Sequence, residues 1–152
     1  MKRTASNSPI ALLNTLPDRF FAADLPSKQL VFLVTQKIKR LDGFSKIRTK
    51  KILVVFCDDP HIRRVKRLFW GKAVTTDVVS LSYDDPPLVE ILINVQQARR
   101  QAPSWGVLNE VLFLYIHGLL HVMGYDDDTL PKRRKMLNLG RSILEKVVDI
   151  GR

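Results

Sequence analysis

The stretch WGVLNEVLFLYIHGLLHVMGYDDD, residues 105–128, decides the reading of this chain. From Trp105 to Met123 it is apolar nearly all round, with Val107, Leu108, Val111, Leu112, Leu114, Ile116, Leu119 and Leu120, and such a helix belongs at the centre of a fold. Gly124 is the expected left-handed terminator. Within the helix His117 and His121 stand four residues apart, so both imidazoles leave one face, one turn apart, where they can share an ion. The sharp turn at Gly124 then delivers Asp126, Asp127 and Asp128. The pattern is H-x-x-x-H-x-x-G-x-x-D, closing at Asp127. Three protein donors leave a fourth position on a zinc ion open for water, which is the arrangement of catalytic sites more than of structural ones. The bland reading is a pair of satisfied core histidines beside a solvated acidic turn. The timed glycine and carboxylate weigh against it.

Outward from this helix the chain alternates strands and helices. A last amphipathic helix is expected from about Leu130 to Val148, with Met136, Leu139, Ile143, Leu144 and Val147 on one side. Upstream, Ser27 caps a helix from about Lys28 to Leu41 whose stripe takes in Leu30, Leu33, Val34 and Ile38. Ile52 to Phe56 is a continuous β-branched run, short enough for a buried strand. Asp58 or Asp59 caps a helix from Pro60 to about Phe69. Thr75 to Tyr83 and Leu88 to Asn94 read as strands joined by the turn Asp84 to Pro87, and Val95 to Ala102 as a helix that Pro103 stops. Pro9 to Leu13 is a candidate first strand ended before Pro17, and residues 1–8 are expected to fray. The sum is a single α/β (α+β) domain over 1–152, a mixed sheet of about four strands covered by about five helices.

Composition narrows the function. With 152 residues, 45% of them hydrophobic, the chain carries one core. Lys and Arg number 25 against 15 Asp and Glu, and a net charge of +10 favours polyanionic partners such as nucleic acid. The single Cys57 cannot form an internal disulfide, which suits a reducing, cytoplasmic setting. The basic start, Met1 to Thr4, lacks a secretory apolar segment after it, and no stretch approaches the ~20 apolar residues of a membrane span, so no membrane role is expected.

At His117, Gly118, His121, Gly124, Tyr125 and Asp126 the sequence resembles the YbeY family, whose signature is H-G-x-x-H-x-x-G-Y-D-H. The block Gly71 to Ser80, GKAVTTDVVS, is similar to that family's G-K-x-x-P-T-D-V-L-S, and the likeness covers roughly residues 51–145. The resemblance implies a single-strand-specific, metal-dependent endoribonuclease. Its substrate would be pre-16S rRNA near the 3' end, and its partners the ribosomal small subunit and assembly factors. It makes His117, His121 and Asp127 the metal ligands, with zinc or another transition metal the ion that suits two imidazoles and a carboxylate. Three departures stand out. The closing histidine is Asp127, which cancels one unit of the ion's charge; the arginine before Gly71 is Trp70; and the family's asparagine in the preceding helix is Lys66. Arg67 or Lys72 are the candidates to replace the lost cation beside metal-bound water, and no residue is an evident general base.

Trp70 is either a rim aromatic packed on the core or a platform for an unpaired base. Lys132 to Lys135, like Arg99 and Arg100, is either a solvated face or a phosphate contact. Two rival functions are a metzincin-like peptidase and a non-catalytic ribosome-assembly protein. The peptidase needs a glutamate after the first histidine, where Gly118 has no side chain to move a proton.

Overall fold

A computed structural model describes residues 9–16, 24–102 and 104–148. The fraying of residues 1–8, the break at Pro17 and the stop at Pro103 lie outside the described residues. In chain order the elements are β1 (Ile10–Asn14), α1 (Lys28–Lys39), α2 (Ser45–Arg48), β2 (Lys51–Cys57), α3 (Asp59–Trp70), β3 (Val78–Asp84), β4 (Pro87–Asn94), α4 (Val95–Gln101), α5 (Val107–Val122) and α6 (Leu130–Val147). The single domain thus holds a four-stranded mixed sheet and, among the described residues, six helices. The expectation of five helices missed α2, whose four residues are too few for periodicity to register.

The sheet order is β1-β2-β4-β3. β1 and β4 both run parallel to β2, while β3 runs antiparallel to β4 and forms one edge of the sheet. β2 is apolar along its length because both of its faces are covered. Ile52, Val54 and Phe56 enter the main core, whereas Val55 and Cys57 join Ile62 of α3, Val79 and Leu92 on the other face. The Cys57 thiol is fully buried against the Ile93 carbonyl at 3.5 Å, and burial, helped by Asp58 and Asp59, pushes its pKa up to about 12. α3 therefore lies across the sheet from α5.

Every residue from Glu110 to Leu120 of α5 is buried, because β3 and β4 cover one side of the helix and α4 and α6 the other. Each such Leu, Ile or Val contributes about 1.5–3 kcal/mol by leaving water, so this helix anchors the fold. Leu108 is the exception in the expected all-apolar surface: it lies in the first turn and stays exposed. Tyr115, buried at the centre, donates its hydroxyl to Thr35 Oγ1 at 2.7 Å, and Thr35 donates in turn to the Val31 carbonyl at 2.6 Å. On α1 it is Val31, Val34, Thr35 and Ile38 that face inward, and the expected stripe residue Leu33 is 54% exposed.

Two caps agree with the sequence: Ser27 accepts from the Leu30 N–H, and Asp58, one of the two candidates, from that of His61, while α6 is capped by Thr129, which accepts from the Lys132 N–H. No helix among the described residues is long and apolar enough to cross a membrane.

Candidate metal centre

The site is built where α5 ends. Gly124, at φ 97°, lets the chain reverse, and its N–H bonds the His121 carbonyl at 3.0 Å while the Tyr125 N–H bonds that of Leu120 at 3.1 Å. This pair of bonds is the Schellman closure. It brings the Tyr125 carbonyl back to 3.2 Å from His121 Nδ1. A carbonyl only accepts, so His121 Nδ1 carries the proton and its Nε2 lone pair is free to point inward.

Two donors meet that lone pair. His117 Nε2 lies 3.2 Å away, and Asp127 Oδ2 lies 3.6 Å from His121 Nε2 and 3.5 Å from His117 Nε2. Bonds of about 2.0–2.1 Å to one tetrahedral ion would hold its donors about 3.3–3.4 Å apart, so the three atoms fit around such an ion with little movement. His117 is buried and its Nδ1 has no hydrogen-bond partner among the described residues. Burial first, then the neighbouring His121, hold its pKa below the ordinary histidine value, against the opposing pull of Asp77 and Asp127. The ring is therefore neutral at pH 7, the form a metal requires.

The three aspartates divide by direction. Asp127 is half-buried and converges with the histidines, whereas Asp126 and Asp128 are exposed. Asp126 Oδ1 accepts the Asp127 N–H at 2.8 Å and so braces the loop. Asp128 pairs with Lys132 at 3.1 Å, and Thr129, not Asp128, caps α6.

The sheet fixes where the helix sits. Ser80 of β3 donates to the Gly118 carbonyl at 2.7 Å. A Cβ at position 118 would come within 2.9 Å of Ile91 Cγ2, 3.0 Å of Ser80 Oγ and 3.2 Å of Val78 Cγ2. Position 118 thus faces the sheet at van der Waals contact. A glutamate there would meet β3 and β4 before it reached the histidines. Sequence reasoning read Gly118 as part of the signature and as a missing base, and it gave no role to the Ser80 hydroxyl or the Tyr125 carbonyl. Both have partners that only the folded chain brings near.

Among the described residues, the other candidates make no hydrogen bond or ion pair with the three donors. Arg67 and Lys72 are exposed and make no hydrogen bond or ion pair with His117, His121 or Asp127. Trp70 is 49% exposed and belongs to neither core, so it is not a rim residue packed inward. Arg99 pairs with Asp24 and Arg100 with Asp59, which engages both as structural ions. Lys132 is held by Asp126 and Asp128, while Arg133, Arg134 and Lys135 are exposed along α6.

A family model described as Endoribonuclease YbeY matches residues 22–148. A protein of Acholeplasma laidlawii named Endoribonuclease YbeY is 35% identical over 102 residues, covering 64% of this chain and 74% of its own. One of the same name from a Geobacillus species is 32% identical over 109 residues, covering 61% and 70%. Among solved structures, a Thermotoga maritima protein determined in solution superposes with a TM-score of 0.56 at 21% identity, over 91% of this chain and 88% of that one. That likeness shows a shared fold.

Proposed function

The chain belongs to the Endoribonuclease YbeY family, and on that premise we propose that it is an endoribonuclease of rRNA processing that hydrolyses single-stranded RNA at an ion held by His117, His121 and Asp127. The observation that carries this reading is the convergence of two imidazole Nε2 atoms and one carboxylate oxygen within 4.8 Å of one another, with the tautomer of His121 set by the Tyr125 carbonyl. Zinc is the ion the donor set suits best. When bound, it would polarise a phosphate oxygen and make water a stronger acid. The protein's own part is to keep the buried His117 imidazole neutral, to aim both rings, and to present phosphates to the site from a basic surface. Asp127 lowers the net charge of the site by one unit relative to a third imidazole, which tempers that acidity.

The finer reading is that the substrate is pre-16S rRNA near its 3' end, met on the small ribosomal subunit with assembly factors in the cytoplasm. A non-catalytic assembly protein is not favoured, since the relatives are named as endoribonucleases. A peptidase is disfavoured by Gly118, where the sheet leaves no room for a proton-transferring side chain.

Incubation with single-stranded RNA, with and without a chelator, tests the proposal. Cleavage should stop on chelation and return with added zinc, and elemental analysis should find one ion per chain. Intact RNA in every arm, with the ion present, would refute the nuclease reading.

A further inference from the structure

The last turn of α3 is an anomaly of burial. Leu68, Phe69 and Trp70 are 79%, 48% and 49% exposed, and none of them belongs to either hydrophobic core. An aromatic pair at a helix end, half-exposed and outside both cores, needs an explanation that core formation does not supply. Its surroundings have one sign of charge. Between Pro60 and Thr76 the chain carries Arg63, Arg64, Lys66, Arg67 and Lys72 and no Asp or Glu. Lys66 Nζ stands 4.7 Å from the centre of the Trp70 ring, and Phe69 is tilted against that ring at 5.9 Å and 52°.

We propose that Trp70, flanked by Phe69, is a stacking platform for an unpaired base of a single-stranded RNA whose phosphates are held by Lys66, Arg67 and Lys72. This rests on the RNA-cleaving reading above and names how its substrate is gripped. Three considerations carry it. Any base offers a π face, and an exposed indole takes it without regard to sequence. The uninterrupted positive charge suits a polyanion and is poor complement for an ordinary protein surface of mixed sign. The platform is also linked to the candidate metal centre by a short loop. Gly71 closes α3 at φ 71°, Arg63 ties the loop to the helix through Thr75 Oγ1 at 3.0 Å, and the chain then enters β3, whose Val78 and Ser80 pack on Gly118 beside His117. Trp70 and Val78 are eight positions apart in the chain. At about 3.5 Å each those steps span at most about 28 Å, so one strand of modest length can reach both places. Where the family resemblance leads one to expect an arginine, this chain exchanges a charge for an aromatic face.

The test uses the full chain and two probes, a single-stranded oligodeoxyadenylate of about a dozen nucleotides and an abasic strand with the same number of phosphates. Trp70→Ala should weaken binding of the base-bearing strand about tenfold, leave the abasic strand unaffected, and leave the salt dependence of both unchanged. Trp70→Tyr should restore most of the affinity. Affinity of Trp70→Ala for the base-bearing strand within about twofold of wild type would overturn the platform, because a stacked base is worth more than that. So would an equal loss on both strands, the result expected if Trp70 only steadies a phosphate-binding surface, whereas a patch that binds a protein would leave both strands unchanged. The cleavage assay separates this from the function itself. Chelator-sensitive cutting with Trp70-independent binding sinks the platform alone, whereas Trp70-dependent binding without cutting sinks the nuclease reading alone.

Discussion

Replacing Gly118 with alanine tests how tightly α5 is set against the sheet. The new methyl would lie 2.9 Å from Ile91 Cγ2, a buried branched side chain on β4, which is paired on both sides in the sheet. It would also lie 3.0 Å from Ser80 Oγ, the atom that already donates to the Gly118 carbonyl. Overpacking of this kind costs about 1–3 kcal/mol. Against it stands the gain of alanine over glycine inside a helix, about 1 kcal/mol. Because Ile91 cannot rotate its Cγ2 away without leaving its place in the core, the cost should come from the upper part of that range. The variant should then be less stable by about 1–2 kcal/mol, equivalent to about 3–6 °C in Tm for a chain of this size. Urea and thermal unfolding of chelator-treated protein, followed by circular dichroism, would read this without a contribution from bound metal. In an Ile91→Ala background the same change should become stabilising, since the methyl then fills space. A Gly118→Ala protein as stable as the wild type would refute the close approach and the placement of His117 that depends on it.

Other outcomes follow from single contacts. Asp127→Ala should lose bound metal, while Asp128→Ala should keep it and Asp126→Ala should loosen it no more than the 10–100-fold typical of outer partners; retention of the ion in Asp127→Ala would mean that a different carboxylate closes the site. Thr35→Val strands the buried Tyr115 hydroxyl and should cost about 1–3 kcal/mol, whereas Thr35→Val with Tyr115→Phe should recover most of that; additive losses in unfolding experiments would show the pair to be uncoupled. Glu110 is buried and its pKa is raised, chiefly by desolvation, although Gln101 and Trp105 donate to it. The folded state then holds this proton more tightly than the unfolded one, so stability should fall as pH rises from the ordinary glutamate range up to the raised value and level off above it. Glu110→Gln should remove that segment of the pH profile, and an unchanged profile would show that Glu110 ionises freely.

What could be read without coordinates was whatever is encoded locally. The α5 run, the His117 and His121 spacing and the turn at Gly124 each lie within one or two helical turns, as do the caps at Ser27 and Asp58. That Asp127 is the aspartate turned toward the histidines was also legible, because Gly124 sets the count. Features that depend on distant partners were not. Thr35 on the inward face of α1 finds its partner in the hydroxyl of Tyr115, 80 residues away. Arg99 and Arg100 look free in the sequence because Asp24 and Asp59 reach them only through the fold. β3 begins at Val78 and not at Thr75, since pairing with β4 starts only where Val78 meets Ile93. The exposure of Trp70 could be seen only after the core had been filled by others.

The lone Cys57 gives the molecule a built-in clock. Its thiol is inert while the sheet is closed, because a sulfur raised to a pKa of about 12 and sealed between β4 and α3 presents almost no thiolate to a reagent. Modification therefore waits for β2 and β4 to part. The labelling rate in an excess of a small alkylating agent would count those openings, and its change on adding metal or RNA would tell whether either ligand steadies the middle of the sheet or only the helices around it.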